Sequence, residues 1–150
     1  MSRGFSLLEV LIVMAIVILL STGLIYRMSD ARRDKAVQAT GDAILFTLEE
    51  AKNNAIAGKY GLAHGVHFAS GAYTSFSGTV YSAGGANNVV HTVSSDIEIT
   101  PALSGGAVDV IFARLNGEAN VTGTITVAAA DDSTTTRVLS IGAGGDVSIE

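Results

Sequence analysis

A chain of 150 residues, 48% hydrophobic and with a net charge of −5, has room for one folded domain plus one apolar segment. The acidic balance leaves no electrostatic footprint for nucleic acid, and the absence of cysteine excludes a disulfide framework and thiolate chemistry. The apolar N-terminus inflates the hydrophobic content, so composition does not imply a polytopic membrane protein.

The first predicted element is that apolar segment. Residues 10–26 hold 17 consecutive uncharged side chains, near the lower limit for a membrane-spanning helix, and Phe5 to Leu8 extend the run on its N-terminal side. Arg3 precedes it. Glu9 interrupts it, and a carboxylate in an apolar helix is costly unless paired, which makes Glu9 a functional candidate. The simpler alternative is that Glu9 snorkels to a membrane surface. Ser21-Thr22-Gly23 passes for the cleavage triplet of a secretory signal peptide, but Glu9 spoils the apolar region and a lone Arg3 is a weak basic start. Arg27, Arg32, Arg33 and Lys35 follow the run, so charge counting alone places the rest of the chain in the cytoplasm.

The helical pattern continues to about Ala57. Val37, Ile44, Leu48, Ala51 and Ala55 recur at spacings of seven, four, three and four, which makes one apolar face. Arg32, Lys35, Asp42, Glu49 and Lys52 occupy the other faces. Gly23 weakens the helix interior, and Gly58 is placed to cap its C-terminus. From Gly61 alternation replaces the helical period, and glycine, serine and threonine punctuate short runs. Strands are predicted at His64–Phe68, Ala72–Phe76, Thr79–Ser82, Val89–Val93, Ile97–Thr100, Val108–Ala113, Thr124–Ala128, Arg137–Ile141 and Asp146–Ile149, with Gly142 to Gly145 turning the last hairpin. The expected fold class is α+β: a long N-terminal helix, half apolar and half amphipathic, packed on an antiparallel sheet.

The residues offer little chemistry. His64 and His67 are three apart on a predicted strand, so they point to opposite faces and are poor co-ligands. Asp131 and Asp132 are weak calcium candidates, because no spaced third acid shapes a loop around them and a solvated hairpin tip explains them as well. The glycine pairs precede no helix and form no phosphate loop. Glu49-Glu50 reads as the wet side of the helix. No serine or threonine sits in a nucleophile context, so the chain reads as a non-enzyme that needs no cofactor.

One stretch carries a resemblance. Gly4-Phe5-Ser6-Leu7-Leu8-Glu9, followed at once by an apolar run, resembles the processing site of type IV prepilins and type II secretion pseudopilins. The resemblance implies cleavage between Gly4 and Phe5 by a prepilin peptidase and N-methylation of Phe5. The new amine at Phe5 would lie one helical turn from Glu9, and in a bundle of identical helices Glu9 of one subunit would meet the amine of a neighbour. Both charges are then paired where the dielectric is low, and the axial register between subunits is set. The implied organisation is a leader over 1–4, a transmembrane and filament-core helix over 5–28, its amphipathic half over 29–58, and a β-rich head over 59–150. The implied location is the bacterial inner membrane, crossed once with the head in the periplasm, and then a periplasmic or surface filament. That orientation opposes the charge count.

The second half resembles GspH/FimT-like minor pseudopilins and minor pilins. The run Leu48-Glu49-Glu50-Ala51-Lys52-Asn53-Asn54-Ala55-Ile56-Ala57-Gly58 is similar to the end of their helix. Ile111-Phe112, Asn116-Gly117, Gly123 to Val127, Val138 to Ile141 and Gly145 to Ile149 follow their order of strands and turns. The expected function is therefore a minor pseudopilin of type II protein secretion, with a minor type IV pilin in pilus assembly, motility or DNA uptake as the second reading. Expected partners are other pilin or pseudopilin subunits, the peptidase, an inner-membrane platform protein, an assembly ATPase and the membrane. Some FimT-like pilins bind DNA through a basic C-terminal motif; this chain ends in acidic Asp146-Val147-Ser148-Ile149-Glu150, so nucleic acid is not an expected partner. A reading from another class is a membrane-tethered binding domain that never polymerises.

Overall fold

The computed structural model describes residues 6–150, and the side chains of these except 21–30, 132 and 133. Helix α1 spans Leu7–Ile56. Eight strands follow: β1 His64–Ala69, β2 Ala72–Ser77, β3 Val89–Thr92, β4 Ile97–Leu103, β5 Asp109–Phe112, β6 Gly123–Ala129, β7 Asp132–Ile141 and β8 Val147–Ile149. The chain divides into two compact units, one up to Lys35 and one over Ala36–Glu150.

In the second unit the apolar face of α1 lies where its periodicity puts it. Val37, Ile44, Leu48, Ala51 and Ala55 are all buried, and Gly41 fills the missing step between Val37 and Ile44. Thr47 shares this face and satisfies its hydroxyl on the Ala43 carbonyl, 2.9 Å away. Beyond Ile56 the helix stops at Gly58, whose φ of 63° a side chain would resist. The Ala55 carbonyl accepts from the Gly58 N–H and from the Leu115 N–H, both at 3.0 Å. A distant loop therefore completes the capping of the helix end.

The strands form two antiparallel four-stranded sheets rather than one. Their orders are β3-β2-β1-β5 and β4-β6-β7-β8. Alternation decides which side chains face the helix: Val66, Val110, Phe112, Ile125, Val127 and Leu139 are fully enclosed and join the helix face in a single core. At a rough 1.5–3 kcal/mol for each fully buried large apolar side chain, this shared core is what holds helix and sheets together. Pro101, which has no N–H to give, lies on edge strand β4 opposite Ile125.

Some expectations need correction. Thr79–Ser82 forms no strand, because Tyr81 leaves the sheet edge to stack on His67, with ring centroids 3.8 Å apart and planes within 4°. A turn closed by the Gly85 N–H on the Ser82 carbonyl follows at once. Strand β4 runs on through Pro101 to Leu103, and β7 starts at Asp132 rather than Arg137. Asp132 is thus a strand residue, and the exposed Asp131 stands at the turn before it.

Candidate functional site

The first candidate is the start of α1. Gly4 and Phe5, the expected cleavage pair, lie outside the described residues. Ser6 precedes the helix, and its carbonyl accepts from the N–H groups of Glu9 (3.0 Å) and Val10 (3.2 Å). Glu9 lies in the first turn, where free N–H groups favour a negative charge, and its side chain is exposed. The apolar run behind it is unusual for a folded chain. All twelve large apolar side chains between Leu7 and Leu20 are exposed, Leu7 at 82% and Leu19 at 74%. A helix that is apolar all round is stable only when lipid or other helices surround it. Among the described residues no helix is long and apolar enough to cross a membrane; the uncharged run of the sequence, residues 10–26, extends past Leu20.

The head brings the histidines to different places. His64 is buried and donates from Nε2 to the Lys59 carbonyl at 3.0 Å. His67 emerges on the opposite face, donates from Nδ1 to Asp109 Oδ1 at 2.6 Å and stacks on Tyr81. His91 stacks on Tyr73, with centroids 4.8 Å apart. Each ring therefore has a structural partner. Among the described residues no three His, Cys, Asp or Glu side chains converge as a metal site.

A cleft of ≈ 230 Å³ opens between the end of α1 and β2, lined by Glu50, Asn54, Lys59, Tyr60, His64 and Asn87 among others. His64 spends its Nε2–H on the Lys59 carbonyl. Elsewhere on the head Arg137 is held by Asp42 at 2.6 Å. The C-terminal residues form edge strand β8.

Two residues escaped sequence reasoning. Among the described residues, Tyr60 and Leu115 are the non-glycine residues with left-handed backbone, at φ 56° and 73°, and both side chains are exposed. The Asn116-Gly117 dipeptide signals a turn, but nothing in the sequence shows that Leu115 takes the left-handed position. That position is set by its N–H bond to the helix end.

Residues 1–25 match the family described as the Prokaryotic N-terminal methylation motif. No curated protein matches the chain. Among solved structures, the chain is similar to the type IV minor pilin FimU of Pseudomonas aeruginosa in two crystal forms. One has a TM-score of 0.58 at 16% identity, covering 75% of this chain and 91% of FimU. The other has a TM-score of 0.61 at 16% identity, covering 76% and 87%. The likeness at that identity is one of fold: a helix packed on an antiparallel head. The chain thus joins an N-terminal methylation motif to a fold similar to that of a type IV minor pilin.

Proposed function

We propose that this chain is a minor structural subunit of a type IV pilus-like filament, cleaved after Gly4 by a prepilin peptidase and N-methylated at Phe5. The observation that carries the proposal is the uncovered apolar helix from Leu7 to Leu20, which lies within the methylation-motif match over residues 1–25. In the membrane, lipid covers that surface; in a filament, the helices of neighbouring subunits do. Glu9 is the charged key, pairing with the Phe5 amine of a neighbour and fixing axial register. The role is packing and contact, requires no cofactor, and fits a family whose structural subunits are generally non-enzymatic. The peptidase, a platform protein, an assembly ATPase and other pilin subunits are its partners. Its path leads from the inner membrane, with the head in the periplasm, into the filament.

Two machines use such subunits. The type IV pilus is favoured by the likeness to FimU, itself a type IV minor pilin. The type II secretion pseudopilus is favoured by the GspH-like run from Leu48 to Gly58. Deleting the chain and comparing surface piliation with protein secretion separates them. The subunit role itself is tested by sedimenting filaments from cells carrying Glu9→Ala. The substitution leaves cleavage intact and depletes the chain from the filament fraction; normal incorporation overturns the register argument.

A further inference from the structure

Asn120 carries a pattern that the filament role leaves unused. Of the six asparagines in the sequence, it alone has a hydroxyl residue two positions on, in Asn120-Val121-Thr122. With no proline between them, that is the acceptor pattern for an N-linked sugar. Such a site needs an accessible loop, because the sugar is bulky and stays in water. The structure supplies one. Residues 113–122 connect β5 to β6, and Glu118, Asn120 and Thr122 are all exposed.

The atoms that the chemistry uses are uncommitted. Asn120 closes the open edge of the first sheet at β5. Its backbone N–H donates to the Ile111 carbonyl at 2.9 Å, and its Oδ1 accepts from the Ile111 N–H at 2.7 Å. The amide oxygen is therefore spent, while Nδ2, the nitrogen that would bear a sugar, has no partner among the described residues. Thr122 is held through its backbone: its N–H donates to Ser104 Oγ at 3.1 Å, and its carbonyl accepts from the Ser104 N–H at 2.7 Å. Its hydroxyl has no partner among the described residues. Glu118, two residues before Asn120, accepts from Asn116 Nδ2 at 2.7 Å on one carboxylate oxygen and presents an exposed charge beside the acceptor. An asparagine kept only to cap β5 uses its oxygen; it needs neither Thr122 nor Glu118.

We propose that Asn120 is an N-glycosylation site, loaded by a membrane-bound oligosaccharide transferase from a lipid-linked oligosaccharide diphosphate. Nδ2 attacks the anomeric carbon of the first sugar. A carbon–nitrogen bond forms there as the bond from that carbon to the diphosphate oxygen breaks. The lipid diphosphate leaves with the electron pair, the proton lost from Nδ2 passes to solvent, and nothing is oxidised or reduced. Thr122 completes the pattern that the enzyme reads, and the Glu118 carboxylate gives cationic groups of the enzyme a handle. The bond from Ile111 to Asn120 Oδ1 is exposed, so water replaces it when the side chain is drawn out. Once attached, the sugar stands at the edge of β5, where an open edge invites pairing with another strand. The inference rests on the reading that carries the head across the membrane, and adds to it a modification of the head.

The test uses the full-length chain purified from the membranes of its native cells. Trypsin releases residues 115–137 as one peptide, because no Lys or Arg lies between Arg114 and Arg137. Mass spectrometry is expected to find that peptide heavier by whole sugar units, with fragmentation locating them on Asn120. Thr122→Ala leaves Asn120 and its bond to Ile111 in place but loses the sugar, and Thr122→Ser retains it. Glu118→Gln lowers the occupied fraction. A bare peptide from the wild-type chain, sugar on a serine or threonine of the peptide instead, or a Thr122→Ala chain still loaded overturns the site. Full occupancy in Glu118→Gln removes Glu118 from recognition. The N-terminal peptide of the same sample keeps the two readings apart. A methylated Phe5 beside a bare Asn120 overturns the site and leaves the filament reading standing. A sugar on Asn120 with Met1 intact keeps the site and overturns the prepilin reading.

Discussion

Arg137 lies across α1 at Gly41. A β-carbon on Gly41 would come within 2.9 Å of Arg137 Cδ and 3.0 Å of its Cγ, and the guanidinium continues to Asp42 one residue along, at 2.6 Å. The glycine in the buried face of the helix is therefore the seat of an arginine stem from β7. Arg137 Nε is enclosed there with no hydrogen-bond partner, a cost that the ion pair and the stem packing offset.

This relationship predicts a strong coupling. Gly41→Ala alone gains helix propensity, about 1 kcal/mol, but displaces Arg137, so its net effect on stability is near zero or unfavourable. With Arg137→Ala in place, the same substitution stabilises by about 1 kcal/mol. Urea denaturation of the four members of the cycle measures the difference. Equal effects of Gly41→Ala in both backgrounds contradict the packing described.

Burial pushes the Tyr73 hydroxyl above its ordinary pKa, against a smaller lowering effect from its hydrogen bond with Thr47. The folded state thus retains a proton that the unfolded state releases first. Stability is full below the usual tyrosine value near 10 and is lost as pH rises from there through the folded value. Between about pH 9 and pH 11 the wild-type chain loses stability faster than Tyr73→Phe, which cannot ionise. Denaturation midpoints of both chains across that range check the sign.

Leu115 holds a conformation that asparagine accepts more readily. Leu115→Asn raises folding stability by roughly 0.5–1 kcal/mol, because the exposed side chain has little burial to lose. A gain in the thermal midpoint is the expected result. A loss shows that Leu115 is held by packing rather than strained by its backbone.

The sequence made some of this legible and hid the rest. The helix face was readable because Val37, Ile44, Leu48, Ala51 and Ala55 recur at the helical period, and a period needs no knowledge of distant contacts. Strand positions were readable by alternation, as for Ile125, Val127 and Ala129 on the buried side of β6. The division into two sheets was not, since β4 pairs with β6 and passes over β5, a choice local pattern does not encode. The loss of a strand at Thr79–Ser82 follows from a ring stack with His67, and the backbone of Leu115 from a bond to Ala55; both are tertiary. Glu9 stood out because a charge in an apolar run has few explanations, whereas the left-handed backbone at Tyr60 and Leu115 had no sequence signal.

The central claim is that the chain is processed as a prepilin. Mass spectrometry of its N-terminal peptide, taken from membranes of cells that contain the native peptidase, tests it most directly. The account predicts a peptide that begins at Phe5 and carries one methyl group on its amine. A peptide that begins at intact Met1, or at Leu24 after a secretory cleavage, contradicts it.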